Sequence, residues 1–289
     1  MTSKATLLAS VMLTIAGLSG LAPRAHANRA AVEHGQPTGS CFILLEIGKG
    51  RTRRNPSATC DLRISPQSTF KIPHALAALD AGVLSETEVI KYDGHQVDRP
   101  LWRKDHTLSS ALRDSVVWYF QEAARRLGLE RERAYLERFA YGNADTSGGL
   151  TTFWLGSSLA ISPDEQEQFL LKLFTGTLPV SARASEIVRR LLVQPEGHIT
   201  NASGSQSLGA TWSSETVVTA KTGAGSTGDG RAVRWLVGHV QTGQRSWIFV
   251  SNVVGSTDLS TTAAIDQAGR LLVEEGVLQG ARGQRPEVR

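Results

Sequence analysis

Ser68-Thr69-Phe70-Lys71 sets a hydroxyl and an amine three residues apart at the start of an apolar run that reads as a helix. On a helix, side chains at i and i+3 share a face, with Cβ atoms ~5–6 Å apart. An amine so placed, or a group built on it, can take the serine proton, and a free hydroxyl is a weak nucleophile without such a neighbour. The same residues also read as a serine N-cap followed by a solvated lysine. Both types are common, so the pair acquires meaning only from the rest of the chain. Two other places invite chemistry. Ser115, followed by Val116, Val117 and Trp118, lies on the apolar stripe of a predicted helix, where a small residue also eases packing. Lys221-Thr222-Gly223 stands where a β-strand is expected to enter a glycine-rich turn, an odd place for a lysine.

The elements that would position these groups follow from periodicity. Cys41 to Ile47 is a β-prone apolar run stopped by Gly48-Lys49-Gly50, a strand and turn. The helix carrying Lys71 uses Phe70, Ala75, Leu76 and Leu79 as its apolar face and ends at Gly82. Pro73 lacks an N–H and crowds the turn before it, which predicts a kink or a tightened turn just behind Lys71. A helix capped by Thr107 is expected to run with Ser115 on its stripe as far as Gly128, and another spans 132–140. Ser162-Pro163-Asp164-Glu165 combines a capping box with proline at the first helical position. A helix over 181–193 and a Gly/Ser-rich loop over 201–207 come next, then a strand over 216–222. Apolar strands over 233–241 and 246–254 flank a turn at Thr242-Gly243 and read as central strands of an antiparallel sheet; the last helix covers 261–275. Strand, helices, then strands predict one sheet-based domain with a helical insertion.

Composition narrows the class. The 289 residues are 40% hydrophobic and 20% charged, as in an ordinary folded protein of this size. Residues 1–27 differ: Lys4, an apolar small-residue run and Ala25-His26-Ala27 read as a secretory signal peptide cleaved before Asn28. An uncleaved anchor is the alternative, disfavoured by Gly17, Gly20 and Pro23. Removing that segment takes away Lys4 and Arg24, leaves 29 basic against 27 acidic residues and lowers the formal charge from +4 to +2. The basic residues are scattered and no basic stripe carries interleaved aromatics, so nucleic acid is not an expected partner. Cys41 and Cys60 flank the hairpin tip and, in an exported chain, are candidates for a disulfide; a pair of small buried thiols is the alternative. No Cys/His spacing suggests a metal.

S-x-x-K together with K-T-G occurs in penicillin-binding proteins and serine β-lactamases. The blocks Pro66 to Pro73, Asp114 to Trp118, Tyr141-Gly142-Asn143, Phe153-Trp154-Leu155 and Lys221-Thr222-Gly223, in this order, resemble the class D (oxacillinase-type) serine β-lactamases from about Cys41 to Leu278. The resemblance implies an α/β (α+β) fold of the β-lactamase and penicillin-binding transpeptidase type, an antiparallel sheet flanked by helices with an all-α insertion. The domain would be 28–289, with sheet parts about 28–92 and 206–289 and a helical part about 93–205. It implies Ser68 as the nucleophile toward a β-lactam carbonyl and Lys71 carried as N6-carboxylysine formed with CO2 or bicarbonate, the only accessory species expected.

By the same resemblance, Ser115 and Lys221 relay a proton to the leaving nitrogen, and the N–H groups of Ser68 and Ala224 form the oxyanion hole. Thr222, Gly223, Ala224, Val117 and Trp102 would meet substrate. Phe70 and Trp154 would surround Lys71, with Tyr141 and Asn143 in the cleft wall and its supporting hydrogen bonds. Carbamate formation needs a neutral amine, hence a buried Lys71. The chain departs from the family where an arginine commonly precedes the last helix and pairs with the substrate carboxylate. Here that position falls near Ala264, among Ser260, Thr261 and Thr262, so hydroxyls with Lys221, or Arg270, or another arginine must serve. The expected protein is an exported, periplasmic hydrolase of small-molecule β-lactams, free of the membrane after cleavage and monomeric or homodimeric. A β-lactam sensor domain or a penicillin-binding transpeptidase, each acylated without turnover, is the alternative.

Overall fold

The protein is described by a computed structural model covering residues 39–55 and 59–281; the expected signal segment 1–27 lies outside these residues. Strand β1 (Gly39–Glu46) turns through Gly48 into β2 (Gly50–Arg54). After the helices come the long strands β6 (Thr216–Ser226), β7 (Ala232–Thr242) and β8 (Arg245–Gly255). Short strands β3 (His198–Asn201), β4 (Gly204–Ser207), β5 (Ala210–Thr211) and β9 (Gln279–Gly280) complete the set. The main sheet runs β2-β1-β8-β7-β6, antiparallel throughout, with the β7–β8 hairpin central as its apolar composition predicts.

Its inner strands are apolar on both faces because both faces are covered, the usual cause of unbroken hydrophobic runs in a strand. Cys41, Ile43, Val237, Ile248 and Val250 point into the larger core, shared with α1 (Lys71–Asp80), α3 (Val117–Leu127), α4 (Leu129–Phe139) and α5 (Pro163–Thr175). Phe42, Leu44, Leu236, Val240 and Phe249 alternate to the other side and meet α7 (Ala263–Glu274) through Ile265, Ala268, Leu271 and Leu272. Helices α2 (Leu108–Arg113) and α6 (Ala182–Leu191) fill out the region between the sheet's two sequence segments. The capping boxes at Thr107 and Ser162 are both formed. No helix among the described residues is long and apolar enough to cross a membrane.

Three local expectations are corrected. The helix begun at Thr107 does not run to Gly128: α2 stops at Arg113 and α3 starts at Val117, with Ser115 between them at φ 54°. The N–H of Val116 bonds back to the carbonyl of Ala111 and that of Ser115 to Leu112, which is the Schellman closure. Glycine usually fills that left-handed position, and here serine does, so no glycine marks the break. The indole of Trp102 donates to the carbonyl of Asp114 at 2.9 Å and braces the turn. Second, the 201–207 loop is largely a hairpin, β3–β4, held by its backbone ladder rather than by apolar side chains. Third, β6 does not end at Thr222 but pairs with β7 through Ser226. Its glycines serve close approach: a Cβ on Gly223 would lie 2.8 Å from the carbonyl of Pro66, and one on Gly225 2.2 Å from the Gln67 side chain.

Cys41 and Cys60 form a disulfide, Cα atoms 5.2 Å apart, pinning β1 to the segment leading into the Ser68 turn. Closing a loop of this length restricts the unfolded chain by ~3 kcal/mol. Replacing both cysteines by alanine is expected to lower unfolding stability by about 2–4 kcal/mol, read as a fall in the urea midpoint with a steeper slope, because the unbridged unfolded chain exposes more surface.

Candidate active site

Residues Gln67–Phe70 form a single 3₁₀ turn that leads directly into α1. This is the tightened turn expected behind Lys71. It places Pro73 third in α1, inside the first turn, where its missing N–H deprives the helix of little. Gln67 has φ 51°, a left-handed conformation that costs a non-glycine residue about 1–2 kcal/mol. Its side chain, buried against Gly225 of β6, donates to the carbonyl of Ser226 at 3.3 Å and straps the turn to the strand.

Lys71 is fully buried, and its Nζ lies 2.9 Å from Ser68 Oγ. Burial, reinforced by the nearby Lys221, pushes its pKa well below the ordinary lysine range. No carboxylate pairs with it among the described residues; its surroundings are aromatic. Nζ sits 5.5 Å from the centroid of Phe120, while Phe70 stacks on Trp154 at 5.4 Å and meets Phe153 edge-on at 5.1 Å. Trp154 is completely buried and its indole N–H has no acceptor. An unpartnered buried donor costs about 1–3 kcal/mol, and the Trp154 ring that carries it stacks on Phe70, the residue before Lys71.

The second lysine lies across the cleft. Lys221 Nζ donates to Ser115 Oγ at 3.0 Å and to the carbonyl of Thr222 at 3.2 Å, and burial lowers its pKa to about 7. The break between α2 and α3 is what delivers Ser115 to it; as one face of a continuous helix Ser115 would have packed inward. Two hydroxyl–amine pairs thus stand in one site, and burial holds both amines below the ordinary lysine range. The cleft is lined by Ser68, Ser115, Val117, Trp102, Thr222, Gly223 and Ala224, all seven expected there.

Other expectations change. Tyr141 and Asn143 do not line the cleft: Tyr141 is buried against Phe70 and Phe169, and Asn143 ties the 143–160 loop through Ser158, Asp145 and Ala160. Arg270 pairs with Glu274 on the outer face of α7 and does not reach the site. Residues missed from sequence also line the cleft: Leu155, Arg99, Arg234, and Asn201, Ser203 and Gln206 of the β3–β4 hairpin. Arg234 alone left a trace, a charge inside an otherwise apolar strand. His74, one turn beyond Lys71, is buried with Nε2 2.7 Å from Glu132 Oε1. Among the described residues no cluster of three or more His, Cys, Asp or Glu is arranged to hold a metal.

Comparison with known proteins decides the family. Residues 36–272 match the penicillin-binding protein transpeptidase domain. The chain is 36% identical to the probable beta-lactamase YbxI of Bacillus subtilis, over 89% of this chain and 93% of that one. The chain belongs to the class D β-lactamases. It is also 39% identical to beta-lactamase OXA-48 of Klebsiella pneumoniae over 65% of each chain. A solved class D beta-lactamase from Bacillus subtilis superposes with a TM-score of 0.71 at 33% identity, covering 84% of this chain and 94% of that one. These relatives identify a serine β-lactamase, a hydrolase, built on the transpeptidase fold.

The buried lysines set a pH dependence in this class D enzyme. In the unfolded chain Lys221 keeps its proton to about pH 10.4, whereas in the folded protein it gives it up near pH 7. The unfolded state therefore binds more protons between these values, so stability rises with pH across that window and the contribution is lost as pH falls to 7. Lys221→Met in CO2-free buffer should reduce the slope of unfolding free energy against pH by about 1.4 kcal/mol per unit between pH 7.5 and 9.5. Denaturant titrations at stepped pH measure it.

Proposed function

We propose that this β-lactamase hydrolyses its substrates through an ester on Ser68, with carboxylated Lys71 as general base for both halves of the reaction. The observation that carries this is a fully buried, carboxylate-free Lys71 2.9 Å from Ser68 Oγ together with an unpartnered buried Trp154 N–H whose ring stacks on the adjoining Phe70. CO2 supplies a negative charge and a basic oxygen on Nζ, which the low amine pKa permits and the indole N–H, a donor only, would bind.

Ser68 Oγ then attacks the lactam carbonyl as its proton passes to the Lys71 side chain. The developing oxyanion is held by the backbone N–H groups of Ser68 and Ala224; donors of this kind are worth about 10²–10³ in rate each. As the carbon–nitrogen bond breaks, Ser115 Oγ gives its proton to the nitrogen and recovers one from Lys221, whose pKa near 7 suits transfer in both directions. The proton that the Lys71 side chain took from Ser68 next passes back to Lys221 and frees the base; the Lys71 side chain then takes a proton from water as it attacks the ester carbonyl, and gives that proton to Ser68 Oγ as the acid leaves. Export to the periplasm by a signal segment at 1–27 is part of this reading, which places the enzyme where β-lactams arrive.

Stripping CO2 should lower the steady-state rate on a chromogenic cephalosporin, and bicarbonate should restore it; indifference to bicarbonate would sink the carbamate. Lys71→Ala should retain slow labelling of Ser68 by a fluorescent penicillin while turnover falls by about 10³-fold or more, whereas rapid deacylation would place the base elsewhere. Trp154→Phe should raise the bicarbonate concentration for half-maximal activity about tenfold, the worth of one hydrogen bond to a charged group.

A further inference from the structure

Two arginines line the cleft, and no aspartate or glutamate does. Arg234 stands on β7 directly across from Ala224 and shares that face of the sheet with Thr222. Its guanidinium donates to the carbonyls of Ser260 at 3.2 Å, Leu259 at 3.1 Å, Gly225 at 3.2 Å and Val233 at 3.0 Å. These four bonds fix the group while leaving its charge uncancelled, since no carboxylate pairs with it among the described residues, and one of its five N–H groups stays uncommitted. Arg99, on the helical side of the cleft, lies 5.7 Å over the Trp102 ring and reaches the β3–β4 hairpin through one 3.3 Å bond to Ser203 Oγ. It too has no carboxylate partner among the described residues. Lys221 is a poor permanent cation, being buried and engaged with Ser115. The fixed positive charge of the cleft is therefore arginine.

Penicillins and cephalosporins carry one carboxylate beside the lactam nitrogen, and some carry a second anionic group on the acyl side chain. We propose that this cleft selects doubly anionic β-lactams, the ring carboxylate seated by Arg234 and Thr222 and the side-chain anion met by Arg99. The inference rests on the reading of the site as a β-lactam hydrolase and adds its substrate class. Arg234 is held where Ala224 leaves room beside it, whereas Arg99, exposed and singly tethered, can turn toward groups of different length. An amino-bearing side chain would set an ammonium against Arg99 with no acid in the cleft to receive it.

The test uses benzylpenicillin and its α-carboxy and α-amino derivatives, which differ by one substituent. The expected kcat/KM order is carboxy, then benzyl, then amino, with about fivefold between the extremes, the size of an exposed ion pair, shrinking as salt rises. Arg99→Ala should lower the carboxy derivative about fivefold more than the amino derivative. Arg234→Gln should lower all three by about tenfold or more, mainly through KM, and Arg234→Lys should recover part of that loss. A brace with no electrostatic role would not be rescued by lysine. Equal kcat/KM for the three substrates, or equal losses in Arg99→Ala, overturns the proposal. If none is turned over, the hydrolase reading fails, and the potency of the three in blocking fluorescent-penicillin labelling of Ser68 still decides the charge preference.

Discussion

The removal of two lysine amines from water is the constraint on which this structure turns. Lys71 and Lys221 are both buried, Lys221 near enough to disfavour charge on Lys71, and neither has a carboxylate partner among the described residues. Burying one isolated ammonium costs several kcal/mol, so the fold must either keep these amines neutral or give them other partners. It does both, through an aromatic cage on one side and two serine hydroxyls on the other. Phe70, Phe120, Phe153 and Trp154 exclude water from Lys71, and each is itself fully buried. They come from the 3₁₀ turn before α1, from α3 and from the 141–161 loop, so these segments must pack together for the amine to be neutral at all.

A second constraint is reach. Ser68 meets Lys71 across a single turn, but Ser115 must face a lysine on a distant strand, and a regular helix through Ser115 would not send it there. The chain adopts left-handed conformations at Gln67, just before one serine, and at Ser115 itself. Such residues persist only where their surroundings over-determine them. Here the Gln67 side chain is strapped to β6, and the Ser115 turn is closed by the Schellman bonds and by the Trp102 indole. Gly223 and Gly225 complete the arrangement by letting β6 lie against the turn that carries Ser68.

Much of this was legible in residue order. The central hairpin, the capped helices, the two-faced strands and the disulfide pair follow from periodicity, caps and spacing, and the Ser68–Lys71 contact from an i, i+3 interval. What escaped depends on contacts distant in sequence or on unusual residues at familiar positions. A serine where glycine normally ends a helix hid the break at 113–117, and a polar hairpin held by backbone bonds read as a loop. The glycines of β6 looked like turn residues because the object they make room for, the carbonyl of Pro66, is more than 150 positions away. Tyr141 and Asn143 belong to the motif and yet support the cleft from behind; a motif identifies residues that travel together without saying which of them touch substrate. Arg234 escaped because its role depends on the fold of a loop over 256–262 that carries no periodicity.

The two lysines also bind stability to the proposed chemistry. With both amines free, any proton taken up by either is repelled by the other, and the site favours net neutrality. Carboxylation of Lys71 would reverse one sign, so that Lys221 could hold its proton opposite an anion and hand it to Ser115. A ligand that binds only the folded state stabilises it in proportion to the logarithm of its concentration over Kd, and CO2 on Lys71 would act in this way, since the exposed lysine of an unfolded chain is protonated and unreactive toward it at neutral pH. The apolar cage that makes the fold costly to charge is thus what would let the same lysine become a base. Removing the cost, by admitting water or an acidic partner beside Lys71, would remove the neutral amine from which that base is made.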